Sequence, residues 1–266
     1  MAKVDIIVVT FSAYEMCRRH ISALFANTDY RDYRVILVNN GPKGIEDMYD
    51  KGHPRLTIVH TGENLGWEGG IHEGLKYSDS EFVVFSNDDL FIPQASSGWL
   101  GRFLELFQRD PLVAAVGPAS NVVMGMQNMF VDCDFRIIEP TLLIGFFLML
   151  RRSALNQVGG MNMDFRGGDD LDLSIRLRKA GYKLVARRDI FVFHHGFVTG
   201  NAVHGDHTKL EGWNSRNMTE KTNMHLIRKH GFKVWLETLW QSYKPYQFPE
   251  AKLELPKVQP GVLGLV

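Results

Sequence analysis

FVVFSNDDLFIP, residues 82–93, runs from four large apolar residues into Asn87, Asp88 and Asp89 and then turns apolar again. The apolar run reads as a buried strand. Two adjacent carboxylates at its tip repel one another and lose hydration, and both effects cost stability. Two readings account for that cost: a turn whose acids face water, or a site completed by a cation or by a ligand that carries one.

The pattern repeats outward from this stretch. VDIIVVTF (4–11) and YRVILVNNGP (33–42) read as strands covered on both faces, with a helix at YEMCRRHISALFA (14–26) between them. RLTIVHT (55–61) is a third strand and WEGGIHEGLKYS (67–78) a short helix ahead of the strand at 81–86. This spacing predicts right-handed βαβ units, hence an α/β fold with a mostly parallel central sheet and helices on both faces. In such open sheets ligands bind beyond the carboxyl ends of the strands. Asn39, Asn64, Asp88 and Asp89 all fall at or just past strand ends, so they are expected along one rim.

Further on, the sequence predicts a helix at 99–109, a strand at 112–118, an irregular stretch over 119–140 and an apolar strand at 142–150. A short helix over 152–158, a helix from Asp169 that Gly181 stops, and two short strands within 181–196 follow. Residues 204–218 read as a polar loop, 215–240 as helices broken near Gly231, and the proline-rich end as an extended tail. The expected division is a first half with the parallel strands (1–118), a second half of the same domain (119–214) and a C-terminal region of helices and extended tail (215–266). The apolar tail end GVLGLV is offered to this chain or to a neighbouring copy, so a homo-oligomer through the tail is expected.

Composition narrows the classes. Of 266 residues, 23% are charged and 45% apolar, an ordinary globular balance. Thirty basic against thirty acidic residues leave no global field for nucleic acid or an anionic membrane, although a local patch remains open. Cys17 and Cys133 have no metal-type spacing and suit a reducing compartment. LLIGFFLML (142–150) is half the ~18 residues of a spanning helix, and MAKVDIIVVTF reads as a first strand, not a signal peptide. A soluble, cytoplasmic protein is expected.

Three other groups carry chemistry. In GGDDLDL (167–173), Asp169 reads as a helix N-cap and Asp172 as a first-turn acid, which leaves Asp170 either a surface acid or a carboxylate able to accept a proton from a substrate hydroxyl. His194, in HHG, either ends a strand or completes the shell of an ion such as Mn2+ beside the acidic pair; His204 and His207 read as loop residues. Gly66, Gly69 and Gly70 surround Trp67 just past Asn64, giving either a tight turn or close approach of a ligand to backbone N–H groups.

Taken in order, IIVVTFS, VILVNNGP, ENLGWEGG, VVFSNDDLFIP, GFFLMLRRSALNQVGGMNMDF, GGDDLDLSIRLRKAGYKLV and IFVFHHG resemble the family 2 glycosyltransferases of the GT-A fold, over residues 4 to 196. The resemblance implies a nucleotide-diphosphate-sugar donor, Mn2+ or Mg2+ as cofactor, and inverting transfer to a hydroxyl-bearing acceptor such as a glycan or glycoconjugate. It implies that Thr10 and Phe11 flank the nucleobase and that Asn39 stands where an aspartate meets base or ribose. Asn64, Gly66, Gly69, Asn87 and Asp88 would line the nucleotide sugar, with Gly145 beside the donor sugar. Asp89, His194 and Asp88 would form the metal site, and Asp169-Asp170 replaces a Glu-Asp pair with Asp170 as general base. A sugar nucleotidyltransferase would need a glycine-rich basic loop after the first strand, which TFSAYEMCRR lacks. A non-catalytic sugar-nucleotide or glycan-binding module would have no use for Asp170 and the acidic pair. Nothing in the charge supports a nucleic-acid acceptor.

Overall fold

The computed structural model describes residues 3–49, 53–165, 167–196, 220–244, 246 and 248. The polar loop over 204–218 and the tail end offered as an oligomer contact lie outside the described residues.

Four strands, β1 (Val4–Thr10), β2 (Tyr33–Asn39), β3 (Leu56–His60) and β4 (Phe82–Ser86), pair in parallel in the order β3-β2-β1-β4. Beyond β4 the same sheet continues through β8 (Phe147–Arg151), β6 (Val113–Ala119), β9 (Lys183–Phe191) and β7 (Ile137–Ile138). β8 runs antiparallel to both its neighbours and β7 antiparallel to β9, so the sheet is parallel over its first half and mixed over its second.

Period-2 alternation explains why β1 and β2 are apolar throughout. Ile6, Val8, Val35 and Leu37 face a core shared with Cys17, Ile21 and Leu24 of α1 (Tyr14–Ala26) and Leu100 and Phe103 of α3 (Trp99–Arg109). Ile7, Val9, Ile36 and Val38 face the opposite core, with Ile71 of α2 (Gly66–Leu75), Leu155 of α4 (Arg152–Gln157) and Leu173 of α5 (Asp169–Lys179). Two of the glycines in α2 serve this packing. A Cβ on Gly70 would lie 2.5 Å from Val9 Cγ1, and one on Gly74 2.5 Å from Ile7 Cγ2. Gly69, expected to open the helix to a ligand, faces Leu65 and Met163 instead.

The apolar run 142–150 is a strand only from Phe147. Its first part cannot join the ladder because three successive amides are taken by side chains: Leu143 N donates to Ser174 Oγ (3.2 Å), Ile144 N to Gln127 Oε1 (2.6 Å) and Gly145 N to Asp170 Oδ1 (2.9 Å). Leu142 joins a third cluster with Phe165, Leu171 and Ile175. There α5 meets the C-terminal helices α6 (Glu220–His230) and α7 (Phe232–Gln241), which are separated by Gly231 at φ 90°.

Candidate active site

The carboxyl end of β4 carries the acidic pair. Just past it, β5 (Leu90–Phe91) pairs antiparallel with β10 (Phe193–His194), Leu90 opposite His194, which brings His194 beside Asp89 across a hundred residues of chain. His194 Nε2 lies 3.2 Å from Asp89 Oδ1, at ion-pair distance but without hydrogen-bond alignment, so that buried oxygen has no hydrogen-bond donor. The other ring nitrogen, Nδ1, lies 3.1 Å from the Val122 carbonyl, an acceptor only. The ring can serve both acceptors only when both nitrogens carry protons; a cation at Nε2 removes that demand and meets the orphaned oxygen as well. Asp89 and His194 therefore fit a divalent ion. Asp88, expected with them, accepts from Thr10 Oγ1 (2.7 Å). Among the described residues no group of three or more His, Cys, Asp or Glu side chains is arranged to hold a metal by itself. A cation held by two protein ligands takes its remaining oxygens from phosphate or water.

Burial pushes the Asp88 carboxyl up to about 7, the Asp89 charge adding to it against the Thr10 hydrogen bond. Burial also pushes on Asp89, but the His194 ring overrides it and holds that carboxyl below the usual range.

The second acidic group stands at the start of α5. Gly168, at φ 76°, occupies the N-cap position and makes no side-chain cap, so Asp169 is the first helical residue and not the cap. Asp170 is the second helical residue, its Oδ1 bound by the Gly145 N–H. Burial pushes its carboxyl up to about 7, with the Glu68 charge in the same direction and the Gly145 N–H opposing. Burial and the charge of Asp170 raise Asp169 well above its ordinary value. Asp172 departs from the first-turn role. It is fully buried and meets Arg176 Nε (2.7 Å), Lys229 Nζ (2.8 Å) and His230 Nε2 (2.7 Å), tying α5 to α6.

One turn joins the two acidic groups. Gly145 holds Asp170, while the carbonyl of its neighbour Phe146 accepts from Asn87 N (2.8 Å) and the Phe146 ring stacks on His194 at 5.3 Å between centroids. Asn87 Nδ2 in turn lies 3.4 Å from His194 Nε2.

The buried and half-buried acids thus divide. Asp5, at the opposite end of β1, is paired with Arg34 (2.7 Å), and Asp172 has its three basic partners. Asp88, Asp89, Asp169 and Asp170 pair with no Lys or Arg among the described residues.

Other expected residues serve the turns of the rim. Asn39 is buried, its amide donating to Lys43 O (2.6 Å) and its oxygen accepting from Gly41 N (2.9 Å). Asn64 is exposed and accepts from Gly66 N (3.0 Å), where Gly66 has φ 74°. Phe11 is half-buried, its carbonyl against Gly41. Two more side chains face the site: Trp67, noted in sequence only for the glycines around it, and His20, which the sequence reading passed over. Trp67 closes on the Gly145–Asp170 contact, with Cη2 3.4 Å from where a Gly145 Cβ would stand, and its Nε1 is buried without a partner. His20 lies buried beneath the acidic pair, Nε2 2.8 Å from Ser86 Oγ, and burial drives its pKa down to about 4. Its signal was a polar residue within the Cys17, Ile21, Leu24 stripe of α1.

A family model described as Glycosyl transferase family 2 matches residues 5–159. In sequence the chain is similar to an uncharacterized protein of Mycobacterium tuberculosis, 30% identical over 174 residues that cover 58% of this chain and 64% of the relative. It therefore spans less than two-thirds of that relative's length. It is also similar to the N-acetylglucosaminyl-diphospho-decaprenol L-rhamnosyltransferase of the same organism, 26% identical over 234 residues, 71% of this chain and 75% of that one. In fold it is similar to the mannosyltransferase PcManGT from Pyrobaculum calidifontis, solved in complex with GDP-Man and Mn2+ (TM-score 0.61, 17% identity, 90% of this chain and 74% of that one). With more than half its length matched, the chain belongs to glycosyl transferase family 2.

Proposed function

We propose that this chain is an inverting glycosyltransferase that moves a sugar from a nucleoside-diphosphate donor to a hydroxyl-bearing acceptor, with Asp170 as general base. One observation carries the reading. Among the described residues the carboxyls of Asp88, Asp89, Asp169 and Asp170 at one rim meet no Lys or Arg, and of the four only Asp89 has a basic neighbour, His194, so an incoming cation or proton offsets charge that these side chains leave uncompensated. Asp89 and His194 would hold Mn2+ or Mg2+, which when bound supplies positive charge against that gathering on a departing diphosphate. Thr10 and Phe11, at the carboxyl end of β1, would flank the nucleobase, with Asn39, Asn64, Gly66 and Asn87 along the same rim and Gly145 beside the sugar. Gly69 would also stand on this rim, where Leu65 and Met163 leave no room for a side chain.

Asp170 is suited to deprotonate the acceptor because its carboxyl titrates near neutral pH and one oxygen is fixed by the Gly145 N–H, leaving the other to receive a proton. The acceptor oxygen then forms its bond to the anomeric carbon on one face while the bond to the diphosphate oxygen breaks on the other, so configuration inverts. The solved neighbour's GDP-Man and Mn2+ support the donor class and the cation, and the rhamnosyltransferase relative's name supports a glycoconjugate acceptor. Asp170→Asn is the test. It should cut transfer by about 10²–10⁴-fold while donor affinity, measured calorimetrically with Mn2+, stays within a few-fold. Equal loss of both would remove the base role.

A further inference from the structure

α7 is apolar on two sides. Thr238 is buried, and Val234, Trp235 and Leu239 beside it pack on the cluster formed by Leu142, Phe165 and Leu171, next to the segments that carry Gly145 and Asp170. The other side has no such cover among the described residues. Phe232, Leu236, Trp240 and, just past the helix end, Tyr243 are 59, 43, 71 and 52% exposed. At 3.6 residues per turn these four fall within a sector of about 80° that points away from Thr238. Single exposed apolar residues are ordinary on a protein surface; four in line on one helix mark a contact face.

The charges of the helical pair that carries the stripe point to its partner. Lys221, Arg228, Lys233 and Lys244 are all exposed on this helical pair, whose acids are Glu220 and Glu237, the latter 3.9 Å from Lys233. The chain as a whole is neutral, so this helical pair, with more exposed cations than acids, is locally basic beside its apolar stripe. A second copy meeting it face to face would bring like charges together, which opposes an isologous contact. Trp and Tyr at the level of basic side chains suit the boundary between lipid headgroups and acyl chains. Among the described residues no helix is long and apolar enough to cross a membrane, so such a contact lies in the plane of the surface.

We propose that this face of α6 and α7 docks on an anionic phospholipid bilayer, the four apolar residues entering the headgroup–acyl boundary and the four cations meeting lipid phosphates. Docking is independent of the transfer reading and is tested without donor or acceptor. The full chain should co-float with phosphatidylcholine vesicles containing phosphatidylglycerol, bind pure phosphatidylcholine far less, and lose binding as salt rises. L236E/W240E, both positions exposed, should lower partitioning by at least about tenfold with an unchanged circular dichroism spectrum. L112E, at an exposed leucine elsewhere, should float like the parent chain. Absence of flotation by the parent, equal flotation by the double variant, or light scattering in which that variant splits a dimer without any lipid binding would overturn the proposal.

Discussion

Asp170 keeps its geometry through a neighbour that can only be small. A Cβ at position 145 would come within 2.5 Å of Asp170 Oδ1 and 3.4 Å of the Trp67 ring. Gly145→Ala should therefore push the carboxylate off its N–H and lower kcat by roughly 10–100-fold, with little change in Tm because the strain falls on a half-buried rim; unchanged kcat would show that this contact does not position the base. The acidity of Asp170 gives a second outcome at the same scale. Its carboxyl is raised to about 7, so as the proposed base it is lost to protonation at lower pH, and kcat/KM should fall about tenfold per unit below that value. Stability runs the other way. A group whose folded pKa lies above its unfolded value of 3.8 favours the fold while protonated, a contribution complete below 3.8 and lost as pH rises through about 7. Asp170→Asn should accordingly raise Tm above pH 7 and leave it nearly unchanged below pH 4, a pair of melting curves that separates a charged burial cost from general loosening.

Within elements, α5 shows why local pattern reads one acid and misreads another. Asp172 sits in the first turn, and sequence assigns it to the helix dipole; its partners Lys229 and His230 arrive from α6, more than fifty residues later. No periodicity within α5 announces that contact. The strands were legible because β1, β2 and β4 must be apolar on both faces to fit between two cores, a constraint written in each strand alone. Residues 142–146 were not, because their composition is as apolar as a strand's while their amides are claimed by Ser174, Gln127 and Asp170 from distant parts of the chain. At the site the same division holds: Asp88, Asp89 and Asp170 stood out as charges at element ends, whereas Trp67 and His20 gain meaning only from what they face. Removing the Asp172 carboxylate leaves Arg176, Lys229 and His230 facing an apolar gap, so Asp172→Ala should cost about 3–5 kcal/mol in urea unfolding. Burial raises the Asp172 carboxyl, but the hydrogen bond from Lys229, with Arg176 and His230, outweighs it and holds it below 3.8. Its contribution is therefore present above pH 3.8 and disappears as pH falls through the folded value, so parent and variant should converge only in strong acid. A cost below about 1 kcal/mol would mean that solvent reaches the cluster and that α6 is held by its apolar contacts alone.

For the whole molecule, thirty positive and thirty negative side chains cancel, yet among the described residues the cancellation is uneven in space: the carboxyl end of the sheet concentrates acids that no Lys or Arg meets, while α6 and α7 carry exposed cations. An imbalance of this kind makes stability depend on what binds. A ligand that occupies only the folded state at a hundred times its Kd adds about 2.7 kcal/mol, which at this chain length corresponds to a rise of roughly 5–10 °C in Tm. Nucleoside diphosphate alone brings more negative charge to Asp88 and Asp89 and should shift Tm little. Mn2+ alone should shift it modestly, and the two together should give the full rise, because each then relieves the charge of the other. Asp89→Asn should remove the synergy while leaving the weak effect of nucleotide alone, whereas Asp170→Asn, on the far side of the Gly145–Phe146 turn, should keep it. A melting series over nucleotide, metal and these two variants reads out the arrangement directly. Synergy that survives Asp89→Asn, or that vanishes with Asp170→Asn, would put the cation somewhere other than between Asp89 and His194.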